Sequence, residues 1–209
     1  MIFARKYHIM ILRGENMIVT TNMLLDELSN YANPKMKLAR MVQQGKVFQI
    51  VKGLYETDKA VPGYLLAGSI YGPSYISFEY ALGYHGLIPE AVYTVTNATF
   101  EKKKRKKYET PFGTFTYRDV PSEAFPLELE LIQEGNYFYR IAGPEKALCD
   151  KLYTMKPVAN MSELSNLLFD DLRIDEEAFR KLDAQKVEML NEKYHCTNVK
   201  KLASLLRRA

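Results

Sequence analysis

Between Thr20 and Thr57 the chain reads TTNMLLDELSNYANPKMKLARMVQQGKVFQIVKGLYET, and the punctuation of this stretch restricts the fold more than anything else in the sequence. Thr20 or Thr21 offers a helix N-cap, and Leu24, Leu25, Leu28 and Tyr31 follow at the spacing of one buried helical face. Asn33-Pro34 then starts a second helix, with Asn as the cap and Pro in the first turn, where its missing N–H costs nothing. Gly45 ends it. The runs Val47–Val51 and Leu54–Thr57 alternate around the turn Lys52-Gly53, which is the pattern of a β-hairpin.

At about 100° per residue the second helix places Leu38, Ala39 and Val42 on one side and Lys37, Arg40 and Gln44 on the other. A helix, a second helix with a cationic face and a hairpin with a basic tip match the winged form of the helix-turn-helix. In that fold the second helix enters the major groove of DNA and the hairpin touches the phosphate backbone. Lys35, Lys37, Arg40 and Gln44 would meet phosphates or base edges, and Lys52 a phosphate. The competing reading is that these cations only solvate a surface helix, as most charged faces do.

The fold class expected is α+β: an N-terminal winged helix-turn-helix over residues 1–60, with a leading segment 1–19, then a mixed α/β domain with a helical C-terminal tail over 61–209. Charge is distributed in the sense a DNA-facing N-terminus requires, with nine Lys/Arg against five Asp/Glu in residues 1–60 and 13 against 15 in residues 121–209. Apolar content of 47% and charge content of 26% are those of a chain folded throughout. Cys149 and Cys196 stand far apart without a C-x-x-C or a neighbouring His pair, which suggests reduced thiols in a cytoplasmic protein and no zinc site. No stretch reaches the ~18 consecutive apolar residues of a membrane span. The opening MIFARKYHIMILRG is broken by Arg5, Lys6, His8 and Arg13, so no export signal is read, and Met17 is an alternative start.

Beyond the hairpin, Tyr64–Ile70 reads as a brief helix stopped by Gly72-Pro73. Residues 74–77 are extended and a helix follows Ser77, with Gly86 as its stop and His85 as a structural rather than catalytic residue. Ala91–Thr96 is a strand by its β-branched and aromatic content, Thr110–Val120 a strand run interrupted at Gly113, and Leu127–Gln133 and Tyr137–Ala142 two more. Between the first two lies the densest charge of the chain, Glu101 to Lys107. Lys103, Lys104, Arg105 and Lys106 there are a second candidate nucleic-acid contact, or a solvated loop. Helices are expected at Pro144–Tyr153, Ser162–Asp171, Asp175–His195 and Asn198–Arg208.

In this order KLARMVQQGKVFQIVKGLYETD, SYISFEYALGYHGLIPE, VYTVTNAT, TPFGTFTYRDV, YRIAGPEKALCDKLY and DDLRIDEEAFRKLD resemble the AbiEi family across roughly residues 20–209. These are the antitoxins of type IV toxin–antitoxin systems, first known from abortive phage infection. The resemblance implies a winged helix that represses the promoter of its own operon, joined to a C-terminal antitoxin domain. The functional partner it implies is a nucleotidyltransferase-like toxin, countered without a stable complex. The family's DNA-contacting role falls on Lys35, Lys37, Arg40, Gln44 and Lys52.

Two other classes remain open at this point. A metal-dependent nuclease needs clustered carboxylates and a lysine, and Glu101-Lys102-Lys103 with Asp119 offers only an E-x-K spelling. A winged helix used for protein or RNA contacts would put the weight on Lys102–Lys107. The sequence shows no Gly-rich phosphate loop, no G-x-S-x-G and no His cluster, so no catalytic residue, cofactor or metal ligand is expected.

Overall fold

The computed structural model describes residues 17–207; the leading segment 1–16, with the question of where translation starts, lies outside them. The described chain is α+β, built on a three-stranded sheet of order β1-β3-β2 and a six-stranded sheet of order β6-β7-β5-β4-β9-β8.

The first sheet joins β1 (Ile18–Thr20), β2 (Phe48–Val51) and β3 (Leu54–Glu56) in antiparallel pairs. Two helices lie between its strands in sequence. Thr20 caps α1 (Thr21–Glu27) by accepting from the Met23 amide. Asn33 Oδ1 caps α2 (Pro34–Gln43) by accepting from the Met36 amide at 3.0 Å. Both caps satisfy donors that a helix start otherwise leaves open. Gly45 (φ +66°) closes α2 and Gly53 (φ +89°) makes the hairpin turn, two left-handed positions that side chains with a Cβ rarely adopt. The Gly53 carbonyl also accepts from the Thr21 amide at 3.0 Å, which ties the turn to the start of α1.

This small sheet is covered on both faces. Val19, Val47 and Tyr55 pack with Leu24, Leu28 and Leu38 of the helices. Ile18, Ile50 and Leu54 point the other way, into the large core of the remaining chain. The pairing of β2 with β3 slips between Gln49 and Val51, leaving Ile50 as the extra residue of a bulge and turning its side chain, 3% exposed, into that core.

After the 3₁₀ turn Gly63–Leu66 and α3 (Ala67–Ile70), the six-stranded sheet takes up β4 (Ser74–Ile76), β5 (Val95–Thr99), β6 (Lys106–Thr110), β7 (Gly113–Asp119), β8 (Leu129–Glu134) and β9 (Tyr137–Ala142). Pairs β4/β9 and β5/β7 are parallel and the rest antiparallel. α4 (Phe78–Tyr84) packs on β5, and α5 (Pro144–Tyr153) packs on α4 and β9. Then come α6 (Met161–Ser165), which runs into a π-helical turn at Asn166–Asp171, α7 (Glu176–Arg180), α8 (Ala184–Tyr194) and α9 (Thr197–Leu206).

Several sequence expectations shift. The strand expected at Ala91–Thr96 begins only at Val95, because the chain from 91 to 94 runs outside the ladder. The break expected at Gly113 is a full reversal, the turn at 111–112 that joins β6 to β7, so Lys106 and Lys107 sit on an edge strand rather than in a loop. The single helix expected over Asp175–His195 is two, since Asp183 caps a new start with bonds from the Gln185 and Lys186 amides. Tyr31 lies beyond the end of α1 and is 49% exposed.

Candidate nucleic-acid interface

The solvent face of α2 carries Lys35, Met36, Ala39, Arg40 and Gln43, all exposed, while Leu38 is 6% exposed in the small core. This corrects the face drawn from sequence. At 100° per residue Ala39 stands about 100° from Leu38 and so leaves the core, whereas Met36, Arg40 and Gln43 lie within about 40° of the opposite pole. Lys37 is on the flank, half-buried, with its ammonium 4.6 Å from the centre of the Tyr31 ring. Gln44 is the exposed C-cap and Lys52 is exposed on the hairpin turn. The helix therefore brings Arg40 and Gln43 to one open surface with Met36, while Lys35, about 60° from Leu38, is exposed on the flank opposite Lys37. Lys52 comes from another element, beside the N-terminus of α1 through the Thr21–Gly53 bond. Lys46, also exposed just past α2, was not singled out by the sequence, although its position after Gly45 marks it as a loop cation.

No family model matches the chain. No curated protein sequence matches it either. Three solved chains do match, among them the crystal structure of the RV2827C protein from Mycobacterium tuberculosis, at a TM-score of 0.62 with 14% identity. That match covers 99% of this chain and 76% of the other. At this identity the likeness is one of fold.

The second cationic stretch is divided by the structure. Lys102 is held 5.3 Å over the Tyr71 ring, and the Lys103 amide donates to Asp119. Arg105, Lys106 and Lys107 instead line a cleft of about 530 Å³ with Arg118 of β7, Glu79 of α4 and the threonines 94, 96 and 116. Lys104 is exposed beside it. Charges on the free edge strand β6 also discourage pairing with another chain, which accounts for Lys106 and Lys107 but not for Arg118, inside the sheet.

Glu79 is the electrostatic centre of this region, accepting from Lys151 Nζ and, at 3.4 Å, from Arg118. Burial pushes its carboxyl up, but the bond and charge of Lys151, with the charge of Arg118, outweigh burial and hold the pKa below 4.5. A depressed carboxylate contributes stability that is complete above the unfolded-state pKa and lost as pH falls through the folded value. On acidification below pH 4.5 the stability of Glu79→Gln should therefore fall less than that of the parent, as read by chemical denaturation across that window. Parallel pH curves for the two proteins would contradict the assignment.

Glu101 and Asp119 do not assemble a metal centre. Glu101 accepts from Ser122 and Asp119 from Thr99 and the Lys103 amide, and among the described residues no group of three or more His, Cys, Asp or Glu is placed to hold a metal ion. His85 Nε2 lies 2.8 Å from the Ala142 carbonyl, a bond that fixes the end of α4 on β9. Among the described residues no helix is long and apolar enough to cross a membrane.

Sequence reasoning missed a fully buried ion pair. Lys146 and Asp150 of α5 are both 0% exposed, and the Asp150 carboxylate accepts from Lys146 (3.1 Å), Tyr194 (2.5 Å), Tyr75 (2.9 Å) and Ser77 (2.6 Å). Burial and the neighbouring Asp150 raise both phenols well above their ordinary value, so they stay protonated donors. Every acceptor site is used, and the cluster opens onto nothing; it joins β4, α5 and α8.

Proposed function

We propose that the chain is a DNA-binding transcriptional regulator whose N-terminal part is a winged helix-turn-helix, and that it acts as the autorepressor and antitoxin of a type IV toxin–antitoxin system. The observation that carries the DNA reading is the open face of α2, where Arg40 stands with Gln43 opposite the buried Leu38 and Lys35 is exposed on the flank. Cations at this position meet phosphates, and Arg and Gln can also bond base edges in a major groove. The exposed Lys52 turn is the wing tip. The antitoxin half of the proposal rests on the ordered motifs that resemble the AbiEi family. The partner is then a nucleotidyltransferase-like toxin.

Salt tests the DNA reading. Binding of the full chain to duplex DNA from upstream of its coding sequence should weaken steeply as salt rises, each phosphate contact adding about −0.9 to the slope of log K against log salt. A flat slope, or equal affinity for unrelated duplexes, would remove the repressor.

A further inference from the structure

We propose that the cleft between Arg105 and Arg118, with the groove beside it, binds a single strand of nucleic acid, at a site separate from the α2 face. The cleft holds a charge that is not balanced. Arg118 and Lys151 both lean on one carboxylate, Glu79, and both are largely withdrawn from solvent, with side chains 25% and 14% exposed. Two cations on one anion leave a positive excess in a place where water screens it poorly. Arg105 adds to that excess: burial of Arg118 lowers its pKa, the charge of Arg105 lowers it further, and Glu79 and Asp150 pull the other way. Arg118 gives Glu79 a single long bond of 3.4 Å, which leaves most of its five N–H donors for something else.

The guanidinium is also held in place. It lies 4.1 Å from the centre of the Phe78 ring, and Phe78 is fully buried with φ +56°. A bulky residue in the left-handed region is strained, and such strain gathers where a group must be fixed for use.

The ligand class follows from what lies next to the cations. A second groove of about 430 Å³ shares Glu79, Val92 and Thr94 with the first, is bordered by Tyr93, whose ring is 89% exposed, and is also lined by Lys151, by Asp171 and by Glu90, whose charge is met by Arg173. Cations beside an open aromatic ring, here Arg105, Lys106, Arg118 and a Lys107 that shares its charge with Glu109 at 2.7 Å, are the arrangement that takes backbone phosphates on one side and stacks a base on the other. A duplex keeps its bases inside and has no ring face to offer Tyr93. A free nucleotide would fill one groove, whereas the two in succession, continued by the exposed Lys103 and Lys104, make a track.

Fluorescence anisotropy with 5′-labelled oligo-dT and oligo-U of about 12 nucleotides, a length in the range of single-strand sites, tests this on the full chain. The oligonucleotides should bind at low salt. Tyr93→Ala should weaken them about fivefold or more, the size expected for one stacked base, as should Arg105→Ala combined with Lys107→Ala. Arg40→Ala should leave them unchanged. Tyr93 is so exposed that its loss does not threaten the fold. Absence of binding, binding indifferent to Tyr93→Ala, thymidine monophosphate binding as tightly as the oligonucleotide, or equal competition by a duplex of the same length would each overturn the proposal. Loss of upstream duplex binding by Arg40→Ala with oligonucleotide binding intact would separate this site from the α2 face.

Discussion

Replacing Asp150 with alanine will destabilise the protein by about 3–5 kcal/mol, the cost of leaving a buried charge without its partner. Lys146 would remain at 0% exposure with its counter-ion gone, and the hydroxyls of Tyr75, Ser77 and Tyr194 would lose their acceptor. Against a typical stability of about 5–15 kcal/mol this is a large share. Removing both charges at once, as Lys146→Met with Asp150→Leu, should cost markedly less than Asp150→Ala, because apolar replacement of a whole buried pair is often close to neutral. Urea denaturation of the two variants decides the matter; an Asp150→Ala protein as stable as its parent would mean that the carboxylate is not the knot between β4, α5 and α8.

The second large effect is on binding. Arg40→Ala should cost about 1–3 kcal/mol in affinity for the upstream duplex if the guanidinium reads a guanine edge, and should relax the preference at one base pair. Adding Lys52→Ala should weaken all sequences alike and flatten the salt slope by about 0.9. Both side chains are exposed, so the melting temperature should stay where it is. If the proposed antitoxin role is separate from DNA contact, the double variant will still rescue growth of cells producing the neighbouring toxin. Unchanged promoter occupancy in a gel-shift assay would place recognition elsewhere on the molecule.

Local chemistry made the N-terminal elements readable. Thr20, Asn33-Pro34, Gly45 and Lys52-Gly53 each act within a few residues of themselves, and each cap or turn is found where its residue type places it. Where a face had to be assigned, the margin was narrow: Ala39 stands about 100° round α2 from Leu38, just beyond the buried side on which the pattern places it. The strand β1 was missed because three residues carry too little periodicity to announce an edge. The Asp150 cluster was out of reach for another reason. GPEKALCD reads as an ordinary amphipathic helix start, and the three hydroxyls that make its charges tolerable come from 73, 75 and 44 residues away. The Arg118 cleft likewise depends on the parallel pairing of β5 with β7, which no local pattern specifies.

The bulge at Ile50 has a mechanical side. Ile50, Val51 and Leu54 of the hairpin pack toward the large core while Val47 and Tyr55 hold the two short helices. The Lys52 turn is therefore rooted in both cores at once, so its position is set by the small sheet and the large core together.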